Sequence, residues 1–272
     1  MSGAALMTGS TLVFDIETVP DVALGRRVHG LGDLPDADVA KAMFTLRRQR
    51  TGEEFLPLGF HRIVAISCLL RSREGLKLWS LGEPGSREAE LVERFFDGIE
   101  RYGPVLVSWN GSGFDLPVLH YRALKAGVQA PRYWETGEED ASFRYKTYLS
   151  RYHWQHIDLM EVLSNFQYRA RASLADTAAL LGLPGKLGFD GSRVWDAWLA
   201  GEIVRIRRYC ETDVLNTFLI YLRFEVLRGH ISRERLDEEV ARVKAMLRAG
   251  GEPHHAEFLS AWEAIETEGS KD

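Results

Sequence analysis

Thr11-Leu12-Val13-Phe14-Asp15-Ile16-Glu17 is the stretch on which the reading of this chain turns. Side chains alternate across a strand, so Leu12, Phe14 and Ile16 share one face and Val13, Asp15 and Glu17 the other. Two carboxylates aimed the same way at the end of a strand repel unless something cationic sits between them. From this run alone two readings stay open: the pair caps a strand end, or it begins a charged site. Pro20 and Asp21 close the strand.

Downstream, residues 22–60 have weak periodicity and read as an insertion, with one amphipathic helix over Asp36 to Arg50. His61 to Leu70 and Leu76 to Leu81 are strands on either side of a charged turn, Arg71 to Gly75, and form a hairpin that pairs with the first strand. Ser86 opens a helix to about Tyr102 with Leu91, Phe95 and Ile99 on one face. Pro104 to Trp109 is a buried strand, Phe114 to Ala126 a helix, and His156 to Leu159 a further short strand. Helical patterns follow at Ser173 to Leu181, Arg193 to Ala200, Gly201 to Arg228, Ser232 to Arg248 and His254 to Thr267. The order predicts an α/β fold with one mixed sheet and helices on its faces.

Composition bounds the function. The 272 residues, 45% hydrophobic and 27% charged, are enough to bury a core in one domain or one domain with an appendage. That excludes a disordered tail, a disulfide-stapled miniprotein and a fibrous repeat. No window approaches the roughly 20 uncharged apolar residues of a bilayer-spanning helix, and the start lacks the basic residues of a signal peptide. The expectation is a cytoplasmic protein with no membrane partner. Cys68 and Cys210 read as reduced core thiols. A net charge of −5 argues against a protein that passively coats nucleic acid, but not against an enzyme that gathers carboxylates around divalent cations. The 27 Arg against 7 Lys suit bidentate phosphate contacts and arise equally from codon bias.

Two further motifs accompany Asp15 and Glu17. In Trp109-Asn110-Gly111-Ser112-Gly113-Phe114-Asp115 a strand end passes through a glycine turn into a helix with Asp115 in its first turn, where the helix dipole favours an acid in any case. In Tyr209-Cys210-Glu211-Thr212-Asp213 a spacing of four puts the phenol and a carboxylate on one helix face.

Asp15-x-Glu17, Asn110-x-x-x-Phe114-Asp115 and Tyr209-x-x-x-Asp213, in this order, resemble the three motifs of the DnaQ-like 3'-5' exonucleases, in their tyrosine branch, DEDDy. The fuller strings Phe14-Asp15-Ile16-Glu17-Thr18-Val19-Pro20 and Asn110-Gly111-Ser112-Gly113-Phe114-Asp115-Leu116-Pro117 look like the bacterial family of predicted exonucleases related to the proofreading domain of family B DNA polymerases. The resemblance covers roughly residues 11 to 228, with little to match in 22–60. It implies a ribonuclease H-like mixed five-stranded sheet and two Mg²⁺ or Mn²⁺ ions. It also implies that Asp15, Glu17, Asp115 and Asp213 hold the metals and that Tyr209 positions the attacking water. Hard oxygen ligands suit those ions, and a phenol of reference pKa about 10 suits an orienting group better than a base. The domain reading is an exonuclease domain over 1–228, with 22–60 insertion-like, and a C-terminal helical extension over 229–272 packed on it. No polymerase module is visible.

The expected activity is hydrolysis of single-stranded DNA or RNA from the 3'-OH end, releasing 5'-mononucleotides. Three substrate contacts are expected: Asn110 donating to a phosphate or sugar oxygen, Phe114 stacking on or wedging beside the terminal base, and Thr18 meeting the 3' end through its N–H and hydroxyl. Their plain alternatives are a turn-forming Asn, a core Phe and a strand-end Thr. Asp158 either supports the ligands or caps the following helix. Arg144, Lys146, Arg151, Tyr152, His153 and His156 form a basic aromatic region, read as a strand-binding surface or a solvated loop. Trp195 and Trp198 read as core, and one of Arg205, Arg207 and Arg208 is placed to reach a phosphate. The rival readings are trimming of RNA or short oligonucleotides, a noncatalytic nucleic-acid-binding module, and a glycosidase using Asp15 and Glu17, which leaves the other motifs unexplained.

Overall fold

The computed structural model describes residues 9–269, so the chain start weighed above for a signal peptide and the outermost residues of both predicted domains lie outside the described residues. The sheet runs in the order β3-β2-β1-β4-β5. Its centre is β1 (Thr11–Pro20), the strand predicted from the opening motif. β2 (His61–Ser72) lies antiparallel to β1, and β3 (Gly75–Ser80) antiparallel to β2. On the other side β4 (Val105–Ser108) and β5 (His156–Asp158) run parallel to β1, giving the mixed α/β sheet expected. The hairpin turn is tighter than the sequence suggested. Ser72 pairs with Gly75, so only Arg73 and Glu74 form the loop, and Gly75 takes the φ of 145° that a side chain disfavours.

Strand lengths decide what happens to Asp15 and Glu17. β4 pairs with β1 only over Thr11 to Val13, so the two carboxylates lie in the part of β1 that has outrun its parallel neighbour. Contrary to the sequence reading, they are not at the strand's end, because β2 accompanies β1 to Pro20. Between Glu17 and Thr18 the register slips by one residue and Val64 becomes the extra residue of β2. Val64 and the next residue, Ala65, then pack into one cluster with Val19 and Tyr209, the local re-aiming that a β-bulge provides.

The helices in chain order are α1 (Val22–His29), α2 (Asp36–Thr51), α3 (Glu88–Tyr102), α4 (Asp115–Ala126), α5 (Pro131–Trp134), α6 (Leu159–Leu163), α7 (Leu174–Leu180), α8 (Val194–Leu199), α9 (Ile203–Leu227), α10 (Arg233–Gly250) and α11 (Pro253–Gly269). Leu12, Phe14 and Ile16 face Phe95, Phe96 and Ile99 of α3 and Leu119 of α4, while Val13 packs on the other side with Val214 and Phe218 of α9. Val243 of α10 and Phe258 and Trp262 of α11 belong to this second core. Arg71 of β2 reinforces it with two bonds to buried Glu239 of α10, at 2.7 and 2.8 Å. Among the described residues no helix is long and apolar enough to cross a membrane.

Residues 22–60 are more ordered than their sequence suggested. α2 matches the predicted helix, and the eight-residue α1, too short for a periodicity to register, packs on it around Val39, Met43 and Leu56. Gly25 lets the two helices close at that crossing, since a Cβ there would lie 2.3 Å from the Met43 sulfur and push that side chain aside.

Arg122 of α4 is almost fully buried and ties three elements together. It donates to Asp21, which ends β1 and caps α1, at 2.8 Å, and to Glu88 at the start of α3. Glu88 also accepts the Ile63 N–H of β2 at 2.7 Å. Burial opposes ionisation of Asp21, but the bonds from Arg122, Lys125 and the Leu24 N–H outweigh it and hold the carboxyl at about 2. Removing one partner of such a cluster strands the other charges away from water. Arg122→Leu is therefore expected to cost roughly 3 to 5 kcal/mol, measured by urea unfolding at neutral pH. A loss below about 1 kcal/mol would show that the network does not hold α4 in place.

Candidate active site

The loop before α4 is shaped by what its residues cannot tolerate. Asn110 adopts a left-handed φ of 64°, which Asn accepts more readily than most residues. A Cβ on Gly111 would lie 2.2 Å from the Ser108 hydroxyl, and one on Gly113 would lie 2.5 Å from Asn110 Oδ1. The turn closes with the Gly113 and Phe114 N–H groups both donating to the Asn110 carbonyl at 3.0 Å. Asp158 does both things that the sequence left open. It caps α6 through the Glu161 N–H, and it holds the loop from behind by accepting the Asn110 N–H at 3.0 Å and the Ser112 N–H at 2.9 Å.

So anchored, the loop delivers Asp115, 3% exposed, to β1, where Asp115 Oδ1 accepts the Ile16 N–H at 3.1 Å. That N–H is available because β4 has already ended. α9 crosses the other face and brings Tyr209, Cys210 and Asp213, all buried, opposite Asp15 and Glu17. The four carboxylates named from the sequence thus meet in one place, and the Tyr209 phenol hydrogen-bonds the Asp213 carboxylate.

The electrostatics follow from this crowding. Burial first, then the charges of Asp115, Glu17 and Asp213, push Asp15 well above the usual carboxylate range. Burial with Asp213 and Asp115 does the same to Glu17. Asp115 is pushed up to about 7, chiefly by burial, although its N–H bonds pull the other way. Asp213 is pushed up to about 6 by burial, moderated by the Tyr209 bond and by Lys186. Burial beside the same anions raises Tyr209, so the phenol keeps its proton at neutral pH.

Several residues at the site were not legible in the motifs. Cys210, read as a core thiol, donates to the Asp15 carbonyl at 3.3 Å and to its carboxylate at 3.4 Å. Burial and the neighbouring acids raise its pKa, and its sulfur lies within 4.8 Å of a carboxylate oxygen of Asp15 and of Glu17. Lys186, exposed in the loop before α8, is a cation facing Glu17 and Asp213. Buried Asn216 of α9 fixes that loop with two bonds to Gly185, at 3.2 and 3.0 Å. The available signal was a single Lys after Pro184-Gly185 in a chain with only 7 Lys.

Other expectations are corrected. The Thr18 hydroxyl is bonded to His61 Nδ1 at 2.9 Å, and the second nitrogen of His61 meets the Leu56 carbonyl at 3.2 Å, so the hydroxyl spends its proton on the imidazole and keeps its acceptor lone pairs for a 3' end. Phe114 is partly core, yet it also meets His61 edge-on at 5.1 Å and Phe55 at 5.9 Å, forming an aromatic wall beside Asp115. Asn110 shapes the turn through its backbone, which leaves its side-chain amide available for the expected phosphate or sugar contact. His156 leaves the basic region: it is buried against the Ser108 hydroxyl at 2.8 Å, and burial holds its pKa down to about 4. Arg207 is bonded to the Leu81 and Gly82 carbonyls at 2.8 Å and is structural, whereas Arg205 lies over Phe189 with its centre 4.9 Å from the ring. Trp195 and Trp198 pack against the Val19 cluster, as read.

A buried carboxylate cluster met on one side by a Tyr and set on a mixed sheet is a feature of phosphodiester-cleaving sites that take divalent ions. Residues 53–262 match the family of predicted 3'-5' exonucleases related to the exonuclease domain of PolB, and the chain belongs to that family. It is 28% identical over 153 residues to a DNA polymerase of Pyrococcus glycovorans, a stretch that makes up 54% of this chain and 20% of that protein. It is 53% identical over 38 residues to DNA polymerase 1 of Sulfurisphaera ohwakuensis, 14% of this chain and 4% of the relative. A family B DNA polymerase structure from Pyrobaculum calidifontis is similar at 19% identity and a TM-score of 0.47, over 88% of this chain and 28% of that one. The chain spans at most 20% of the length of these curated relatives. The family match begins after β1, so Asp15 and Glu17 join the site through the fold and not through the matched segment.

The raised carboxylates fix a sign for stability. In metal-free protein they keep protons that the unfolded chain releases near pH 4, so their contribution is full below about pH 4 and is lost as pH rises through about 6 to 7. Asp213→Asn removes one repelling charge and keeps the shape. In EDTA at pH 8 it is expected to be more stable than wild type by about 1 to 3 kcal/mol, and to gain less from added Mn²⁺. Paired melting curves of the two proteins measure this. An Asn variant that melts below wild type in EDTA would mean that the carboxylates do not share their charge.

Proposed function

We propose that this chain is a metal-dependent 3'-5' exonuclease that removes nucleotides hydrolytically from the 3'-OH end of single-stranded DNA or RNA and releases 5'-mononucleotides. The observation that carries the reading is the convergence of Asp15, Glu17, Asp115 and Asp213, from three elements, into a buried group whose charges oppose one another. Such a group fits divalent cations: its donors are hard oxygens, and bound cations relieve the repulsion. Asp15, Glu17, Asp115 and Asp213 would hold two Mg²⁺ or Mn²⁺ ions. When bound, those ions supply a nucleophile at neutral pH and offset charge on the attacking and leaving oxygens of an in-line displacement.

The chain's own groups do the rest. Tyr209 keeps its proton and is bonded to Asp213, so it orients the attacking water by hydrogen bonding and does not take a proton from it. Cys210 restrains the Asp15 carboxylate. Lys186, on the solvent side of Glu17 and Asp213, meets the negative charge of the terminal phosphate. Phe114, with His61 and the half-exposed Phe55, offers a face on which the terminal base stacks; stacking is tolerant of base identity and suits an enzyme that must accept every end. A cytoplasmic location is part of the same proposal.

Mononucleotide release from 3'-labelled and 5'-labelled single strands, with Mn²⁺ or with EDTA, tests the reading. Asp15→Ala or Asp115→Ala is expected to abolish release while leaving part of the nucleic-acid affinity, and near wild-type turnover in both would sink the assignment. Tyr209→Phe is expected to retain the fold and lose roughly 10² to 10⁴ in rate, the contribution of a positioned proton-handling group. Lys186→Met is expected to weaken cleavage without altering the melting temperature. A 3'-phosphate adds charge to a site already rich in carboxylates and is expected to block digestion. Equal cleavage of both ends, or fragments from a circular single strand, would indicate an endonuclease.

A further inference from the structure

The first turn of α11, behind Pro253, carries His254 and His255 with both rings more than nine-tenths buried. Their ring centroids lie 4.2 Å apart, and their Nε2 atoms approach the same oxygen, Oε2 of Glu211 on α9, at 2.7 and 3.5 Å. One ligand atom from each of the three residues lies within 4.8 Å of the other two. Three nitrogens of this pair, Nδ1 of both rings and Nε2 of His255, are buried without a hydrogen-bond partner. A fold rarely leaves such groups unsatisfied without a reason. Two imidazoles and a carboxylate are the donor set of zinc sites that keep a fourth position open. Imidazole also separates this cluster from the all-oxygen group around Asp15, which suits harder ions.

We propose that Glu211, His254 and His255 form a second cation site, for a zinc-class transition ion, separate from the four carboxylates. Its surroundings have the form that such a site needs. The Ser80 hydroxyl donates to the other oxygen of Glu211 at 2.7 Å, which leaves Oε2 turned toward the imidazoles. His254 lines a surface groove of about 600 Å³ together with Thr212 and Glu257, giving an ion a route in. The ion clips the start of α11 to the middle of α9 and, through Ser80, to the end of β3. Behind Ser80 the polar chain continues: the Ser67 hydroxyl donates to Ser80 at 2.9 Å, and Ser67 pairs across the sheet with Asp15. The clip therefore braces the strand and helix that carry the carboxylates, and it stands whether or not the exonuclease reading does.

The test uses the full chain, stripped with EDTA and returned to excess Mg²⁺ so that the all-oxygen site is occupied, then titrated with Co²⁺. One equivalent is expected to give the intense visible bands of a four-coordinate centre, displaced by one equivalent of Zn²⁺. Asp115→Asn is expected to keep these bands, and His254→Gln, His255→Gln and Glu211→Gln to lose them. Zn²⁺ at about ten times its dissociation constant is expected to raise the melting temperature of wild type and of Asp115→Asn by about 3 to 5 °C, and to leave that of His254→Gln unchanged. Absence of the bands in wild type overturns the proposal, and so does their loss in Asp115→Asn alone. The deciding spectrum is that of the wild type, so a histidine variant that fails to fold does not rescue it.

Discussion

The hydrogen bond from the Ile16 N–H to Asp115 is the contact on which the rest of the site depends. It exists because β4 stops pairing at Val13, which leaves a β1 donor for a side chain instead of a strand. It fixes the start of α4 against the centre of the sheet, with its carboxylate close to Asp15 and Asp213. Two of the buried polar groups in the neighbourhood keep that carboxylate in place. Asp158 holds the loop before it, and Arg122 holds the helix after it.

The same geometry sets stability against function. Four carboxylates that attract nothing to one another would separate if the backbone allowed it, and the packing of α3, α4 and α9 on a five-stranded sheet does not allow it. Hydrophobic burial over two faces of β1 stabilises the scaffold, while the charges in its middle oppose it. A fold that tolerates such a centre must be stiff there, and the bulge at Val64, the glycines at 111 and 113 and the fixed φ of Asn110 are where the stiffness is visible.

Much of this is legible in the sequence. Alternation in Thr11 to Glu17 assigned each side of β1 to its layer, and the spacing of Tyr209 and Asp213 put both on the face of α9 that meets it. What escaped the sequence is what depends on distant partners. The Thr18 proton is taken by His61 and the Arg207 guanidinium by the carbonyls at 81 and 82, and no local pattern reports such long-range bonds. His156 looked cationic among Arg and Lys neighbours, but its strand carries it into the interior. Lys186 faces the carboxylates only because Asn216, in a different element, folds its loop back. Helix α1 is too short for a period to declare itself, and its role emerges from its fit against Met43.

The second core joins the first strand to the last described helix, with Val13 at one end and Trp262 at the other. During synthesis this has an order built into it. Asp15 and Glu17 leave the ribosome well before their partners Tyr209 and Asp213, and the residues of α10 and α11 that pack with α9 follow later still. A nascent chain therefore has no assembled acidic centre.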